Sequence, residues 1–353
     1  MKSVFTKVFS CLGLALFIVV LSSKESKAQD FSEVLKAQGD DAEKLLENYI
    51  GPFFTGFGVG MANGWYNTAA PHKFPGFDLT VSVNLASVPQ DGQVFKFNAS
   101  DYSSITGVRQ NGGAAQSTAD VETLFGPGDT ESELQLSYQR EYQGQTYTVN
   151  SAVELPSGFG FPYVPTPVAQ LGIGLPKGTD LKLRLMPTIA SEDFSISLFG
   201  IGVMHDFKQW IPGMKVLPFD ASVLIGYTKL SAENSFAGSE ITDNGTGEIS
   251  VSSLTYQILV SKKLSILTVY GGFGANSIKS NLKMLGTYTI EAEASNGASA
   301  DIELQDPVDL MFKSGGARAT IGLRLKLAIL TLHGDYTVQK YNTITAGVGF
   351  SVR

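Results

Sequence analysis

Apolar and polar residues alternate with period two along much of the chain. Ala317, Ala319, Ile321, Leu323 and Leu325 are separated by Arg318, Thr320, Gly322 and Arg324. Leu330, Leu332, Gly334, Tyr336 and Val338 alternate with Thr331, His333, Asp335, Thr337 and Gln339. Leu181, Leu183 and Leu185 alternate with Lys182, Arg184 and Met186; Phe219 to Thr228 follows the same rule apart from Leu224. Successive side chains on a strand point to opposite faces, so the pattern predicts two-faced strands.

Two architectures accommodate such strands: a soluble sandwich, or an outer-membrane barrel whose apolar face meets lipid while its polar face lines the lumen. The runs extend over about ten residues, the length a tilted membrane-spanning strand needs and roughly twice the sandwich average. Short and long connections also alternate, as they do between the two sides of outer-membrane barrels. The expected fold class is therefore all-β, an antiparallel transmembrane β-barrel. Strands are predicted near 52–61, 76–88, 92–98, 161–175, 178–190, 193–204, 218–229, 249–260, 264–275, 314–327, 329–339 and 343–353, about 12 in all, with 14 as the alternative. With both termini in the periplasm, short inner turns fall at 89–91, 176–178, 261–263 and near Leu327, and a longer one spans Asp206 to Leu217. The long segments 99–160, 230–248 and 276–313 then lie outside.

The start of the chain reads as an export signal. Lys2 and Lys7 accompany an apolar run from Val8 to Leu21 that is too short to span a bilayer as a helix, and Ser26-Lys27-Ala28 carries small residues where a signal peptidase reads. Cleavage after Ala28 makes 1–28 a signal peptide, 29–51 a periplasmic amphipathic helix or plug segment, and 52–353 the barrel. It also removes Cys11, so the exported chain has no disulfide, thiolate nucleophile or Cys-ligated zinc. A long exported chain without disulfides points to a bacterial envelope, here the outer membrane of a Gram-negative bacterium.

Charged residues are only 17% of the chain and glycine takes 38 of 353 positions, a composition that excludes disordered and coiled-coil proteins. Loss of Lys2, Lys7, Lys24, Lys27 and Glu25 moves the net charge from −7 to −10, which argues against nucleic acid as a partner. The acidity lies in the long outer segments, with −6 in 99–160, −4 in 230–248 and −3 in 276–313. Outer carboxylates suit a lipopolysaccharide surface bridged by divalent cations, which take oxygen ligands; ordinary solvated loops would look the same. Expected partners are outer-membrane lipid, lipopolysaccharide and the barrel-assembly machinery. Asn296-Gly297 reads as the tight turn of an outer hairpin.

The polar faces put Lys182, Arg184, Arg318, Arg324, His333 and Asp335 in the lumen. A tight turn near Leu327 would set Arg318 diagonal to Asp335, with His333 and Asp335 facing Gly349 and Gly347. Two readings stay open: a basic constriction that selects anionic or amphipathic solutes, or a charge network that holds strands in register. On either, Thr345→Arg on the lumen face should cost much less than Val348→Arg on the lipid face.

One helix is legible. Asp40 and Glu43 form a capping box, and Ala42, Leu45, Leu46, Tyr49 and Ile50 share one face. The helix would plug the periplasmic mouth or pack beneath the rim. The Gly-rich aromatic run from Phe53 to Trp65 reads as the first strand or as part of the plug, and Gly56-Phe57-Gly58-Val59-Gly60 as close backbone packing. In the long inner connection, Phe207 and Trp210 are placed in an aromatic girdle, with partner docking as the other reading.

At the end of the chain Thr345, Gly347, Phe350 and Val352 resemble the assembly signal of bacterial outer-membrane barrels, although Val352 and the trailing Arg353 replace the usual terminal aromatic. The segments Asn63-Gly64-Trp65-Tyr66-Asn67-Thr68-Ala69 and His205-Asp206-Phe207-Lys208-Gln209-Trp210-Ile211-Pro212 resemble those of an uncharacterised family of exported barrels from Gram-negative bacteria. That resemblance implies a barrel and no activity. A fainter similarity is to the long-chain fatty-acid transport barrels, through an N-terminal segment able to fold inward.

Catalytic signals are weak. His72, His205 and His333 are the three histidines, none at metal-ligand spacing from another, and no nucleophile elbow is present. No catalytic residue, metal or cofactor is expected. The leading functional class is a narrow channel or plugged carrier for a small hydrophobic or amphipathic solute. A structural or docking barrel that presents its outer loops is the alternative, and a membrane-embedded hydrolase built on His333 and Asp335 the minor one.

Overall fold

The computed structural model describes residues 37, 39–142, 145–191, 193–235, 242, 244–293 and 299–352. The expected signal peptide, the Asn296-Gly297 turn and Arg353 lie outside the described residues. The chain runs through helix α1 (Gly39–Ala62), β1 (Phe77–Ser87), β2 (Val94–Asn98), β3 (Ile105–Gln110), β4 (Thr118–Glu122), β5 (Ser132–Tyr142) and β6 (Gln145–Leu155). It continues through β7 (Tyr163–Leu175), β8 (Thr179–Ala190), β9 (Phe194–Asp206), β10 (Asp220–Ser235), β11 (Thr246–Leu264) and β12 (Leu267–Leu285). The last elements are β13 (Thr287–Glu293), β14 (Ser299–Gln305), β15 (Val308–Leu327), β16 (Leu330–Val338) and β17 (Thr343–Val352).

Ten strands close a barrel in the order β1, β17, β16, β15, β12, β11, β10, β9, β8, β7. Each pairs antiparallel with its neighbours, and β7 returns to β1. The expected count of about 12 is corrected in two places. The 52–61 stretch is the second half of α1, and 92–98 is mostly β2, which pairs with β4 outside the barrel. Both edges of β1 are already taken by β17 and β7, so the chain between β1 and β7 leaves the wall. It folds as two small sheets, β2-β4 and β3-β5-β6. The turn expected at 89–91 on the inner side is part of a one-turn helix, Gln90–Gln93, at the end that carries the long connections.

Alternation is visible directly in the walls. On β17, Ile344, Ala346, Val348 and Phe350 are exposed, whereas Thr343, Thr345, Gly349 and Ser351 are buried. Ile225, Ile258, Phe273 and Ile321 extend the exposed apolar band across β10, β11, β12 and β15. The wall is uneven, with 19, 19 and 20 residues in β11, β12 and β15 but 9 and 10 in β16 and β17. The long segments expected at 230–248 and 276–313 are therefore partly wall, and the β13-β14 hairpin stands beyond it.

Helix α1 runs inside the barrel, against β1, β7, β10, β11, β12 and β15. Ala42, Leu45, Leu46, Tyr49 and Ile50 are buried as one face. Farther along, Phe54 stacks on Phe312 of β15 with centroids 4.6 Å apart. Val59 and Met61 are fully buried, and Val164, Ile278, Val251 and Leu230 belong to the same apolar cluster. Pro52 and the glycines at 51, 56, 58 and 60 are poor residues for a free helix. Burial of the helix in a walled tube overrides that preference, because packing supplies most helical stability in proteins. The glycines also make the fit possible: a Cβ at Gly56 would strike Val164, one at Gly58 Ile278, and one at Gly60 Thr166. No helix among the described residues is long and apolar enough to cross a membrane, which bears on helices alone.

Candidate functional site: the plugged lumen

The N-terminal segment crosses the whole lumen, so the helix expected at the periplasmic mouth or beneath its rim begins instead at the long-connection end, held there by the segment between β1 and β7. At the long-connection end, Asp41 of α1 accepts hydrogen bonds from the Ser103 and Ser104 amides at 2.9 and 2.6 Å and from both their hydroxyls. Lys44 donates to Asp101 O, and Tyr49 to Pro156 O. Glu43 accepts from the Asp309 amide of β15 at 2.9 Å, so its carboxylate reaches the barrel wall. Residues of the segment between β1 and β7 thus cap the start of α1.

Two arginines receive the other end of the helix. Arg184 of β8 donates to Met61 O and Asn63 O, each at 2.7 Å, and to Gln170 Oε1 at 3.1 Å. Arg318 of β15 donates to Ala62 O at 2.8 Å and to Asn63 Oδ1. The last carbonyls of a helix lack intrahelical donors and form the negative end of its dipole. A planar guanidinium with five donors is suited to take several of them together. Asn84 and Thr255 add further donors, to Gly60 O and Ala62 O.

Beyond Asn63 the chain continues toward the short-turn end. The Trp65 indole is 1% exposed and lies beneath Arg184, whose guanidinium carbon is 3.6 Å from the ring centroid. Inward-facing Gly202 and Gly226 make its slot, since a Cβ at either would meet the indole within 3 Å. Tyr66 donates to Gln257 Oε1 at 3.0 Å and packs edge-on to Tyr270. Ser222 donates to Ala69 O at 2.6 Å, and Ser261 accepts from the Ala69 amide at 3.0 Å. At the exit, the His72 amide and Nδ1 contact the two oxygens of Asp180 at 2.8 and 2.9 Å, and its Nε2 lies 3.5 Å from Asp78. Trp65, Tyr66, His72, Asp180 and Asp78 are central to the lumen yet were not singled out as lumen residues from sequence. Inward glycines opposite a nearby aromatic run are the signal that could have found them.

The residues expected in the lumen all lie on inward-facing positions, with different partners from those expected. Arg184 and Arg318 hold the plug. Lys182 lies 3.7 Å from Asp180. Arg324 is the cross-strand neighbour of His333, and both are buried. The two-residue turn at Ala328 and Ile329 sets Asp335 opposite Gly322, so Arg318 is not diagonal to it, and Asp335 accepts from Tyr270 Oη at 2.8 Å. The neighbours of His333 and Asp335 on β17 are Gly347 and Thr345, one pair away from the expected Gly349 and Gly347. Thr345 donates to Asn84 Oδ1, Gly347 makes room for the His333 ring, and Phe350 and Val352 face outward. In the inner connection Trp210 is 66% exposed and donates to His205 Nε2 at 2.9 Å. Phe207 precedes a short 3-10 turn whose Lys208 is tied to Leu217 O and Phe219 O.

The two central guanidiniums are thus spent on backbone and side-chain oxygens of the chain itself, and Arg324 lies nearer the short-turn end beside His333. The lumen has two layers: aromatic and aliphatic side chains around α1, then a hydrogen-bonded polar layer from Arg184 to His72. Among the described residues no cluster of three or more His, Cys, Asp or Glu is placed to hold a metal ion.

Solved structures similar to this chain include the attachment invasion locus protein Ail of Yersinia pestis, with 9% identity over 78% of this chain and 98% of that one, at a TM-score of 0.23. The transport unit of the autotransporter AIDA-I from Escherichia coli gives 9% identity, 86% and 99% coverage and a TM-score of 0.28. The outer membrane protease OmpT from Escherichia coli gives 8%, 79%, 98% and 0.25. At such scores none of their activities transfers to this chain. A search of curated proteins found no match. Residues 1–352 match the model of a family of unknown function (DUF6588), and the chain belongs to that family.

Proposed function

We propose that the protein is an outer-membrane carrier for a small hydrophobic or amphipathic solute, closed at rest by its own N-terminal segment. The observation that carries this reading is the apolar layer of the lumen, where Phe54, Phe312, Ile278, Val251 and Val164 meet. A water-filled pore for polar solutes has a polar interior. Here, displacement of α1 would uncover an apolar path that ends on hydrogen-bonding groups, suited to a molecule with an apolar body and a polar head. The exposed apolar band supports a lipid-facing exterior, and the N-terminal leader supports export. We read the lumen as non-catalytic, since Asp335 is engaged by Tyr270 and His333 packs over Gly347 beside the buried Arg324.

The test pairs bilayer conductance with mass spectrometry of lipid-soluble material that copurifies. Wild type should conduct little and retain a ligand; Arg184→Gln with Arg318→Gln should release the plug, raise conductance and lower ligand retention. A large steady current through wild type would overturn the closed carrier.

A docking barrel is the second reading, and the folded sheets of the segment between β1 and β7 favour it. There Glu122 is buried and accepts from the amides of Gly128, Asp129, Thr130 and Gly158, which ties two loops together. Absence of both ligand and conductance in every variant would move the assignment to this reading.

A further inference from the structure

Just above the apolar band, the barrel register aligns basic residues across four neighbouring strands. Lys229 of β10 pairs with Ser252 of β11, Ser252 with Lys279 of β12, and Lys279 with Lys313 of β15. All three lysines are exposed. They share the outward phase of their strands with Val223, Ile225 and Tyr227 on β10, Phe273 on β12, and Ile321 and Leu323 on β15. With strands about 4.8 Å apart, the row forms a short basic ledge along the upper edge of the apolar face.

One pairing in this row is costly. Lys279 and Lys313 are direct cross-strand partners, and like charges placed so destabilise a sheet. Two outward positions higher, the same strands place Lys283 opposite Asp309, with an ion pair of 2.9 Å. Opposite charge is therefore supplied where the wall stands clear of the band and withheld at its edge. No ion pair to Lys229, Lys279 or Lys313 occurs among the described residues. A multivalent anion fixed at that height would relieve the repulsion and use all three ammonium groups.

We propose that Lys229, Lys279 and Lys313 bind the phosphate groups of a phosphorylated glycolipid whose acyl chains cover the apolar face beneath them. The assignment rests on the membrane location in the reading above and adds its lipid partner. The level above the ledge supplies Ser231, Ser250 and Asn281, polar groups able to hydrogen-bond a sugar, beside the exposed Met311 that pairs with Asn281.

The full-length protein is inserted into phosphatidylcholine vesicles with or without lipid A as the probe. Bound lipid A is counted by native mass spectrometry after gentle extraction. Wild type should retain lipid A. Substitution of all three lysines by Gln should lower retention about tenfold or more, while Arg at the same positions should preserve it. Lys262→Gln with Lys263→Gln, at the opposite end of β11, should leave retention unchanged. A heat shift on gels verifies that each variant is folded. Equal retention by wild type and the Gln variant, both folded and inserted, overturns the glycolipid site alone. Full displacement by inorganic phosphate also overturns it, because the acyl chains would then contribute nothing. Failure of folded wild type to insert into either vesicle overturns the membrane reading, and the site with it.

Discussion

Arg184 lies 3.6 Å from the ring centroid of Trp65, clamped between that indole and the end of helix α1. The same guanidinium takes Met61 O and Asn63 O, so one wall residue binds the plug on both sides of its helix-to-coil transition. Arg318 does the equivalent from across the lumen with Ala62 and Asn63. The two like charges tolerate a common lumen because each faces backbone oxygens at the negative end of a helix.

Arg184→Gln should therefore destabilise the folded barrel by about 3 kcal/mol, since it strands two buried carbonyls and removes a cation over an aromatic face. Arg184→Lys retains the charge but not the fork, and should recover less than half of that loss. Denaturant unfolding in detergent reads both; a midpoint unchanged in Arg184→Gln would show that the clamp contributes nothing to stability.

Much of the wall was legible in the sequence because each strand there has two different environments. Leu181, Leu183 and Leu185 against Lys182 and Arg184 read correctly as a strand, and β8 runs from Thr179 to Ala190. The 52–61 stretch misled for a physical reason: glycine at 56, 58 and 60 imitates the period of a strand, while the helix is dictated by neighbours distant in sequence. Val164, Ile278 and Thr166 supply the surface against which only glycine fits, and no local pattern announces them. The partner of a buried arginine was equally hidden, because backbone carbonyls have no sequence signature. Arg184 and Arg318 could be placed in the lumen from alternation, but not assigned to the plug.

The glycine positions in α1 divide into tight and open ones. Gly60→Ala drives a methyl group into Thr166 and should destabilise by about 1 to 3 kcal/mol, more than the helix-propensity gain offsets. Gly51→Ala meets Phe312 at 3.5 Å, an ordinary contact, and should stabilise by up to about 1 kcal/mol. Opposite signs in the same unfolding assay are expected; matching signs would disprove the close seating of the helix on β7.

Acid should release the cap from the plug. Burial pushes the Asp41 carboxyl up, but hydrogen bonds from Ser104 and Ser103 outweigh it and hold it below the ordinary carboxylate range. A depressed folded-state value means that this contribution is complete above the unfolded value of about 3.9 and is lost as pH falls through the lower folded value. Amide exchange at Ser103 and Ser104 should accelerate across that acid window in wild type. Asp41→Asn should show fast exchange already at neutral pH and little further change; identical profiles for both proteins would show that Asp41 is not the latch.

The two faces of β17 provide the sharpest test of a filled lumen. Val348 is 44% exposed on the apolar exterior, so Val348→Arg near mid-band should cost about 2 to 4 kcal/mol in a bilayer. An open lumen would make Thr345→Arg, on the other face, much less costly. Thr345 is instead 1% exposed and donates to Asn84, which itself donates to Gly60 O of the plug. An arginine there has Asp335 as its cross-strand neighbour, but that carboxylate already accepts from Tyr270 Oη, and the longer side chain must push against Asn84 and α1. Thr345→Arg should therefore cost about 3 kcal/mol or more, at least as much as the lipid-facing change. Unfolding free energies measured in the same lipid vesicles decide the matter: two large penalties fit a barrel filled by its own N-terminal segment, whereas a cheap Thr345→Arg beside a costly Val348→Arg would mean that the lumen is open.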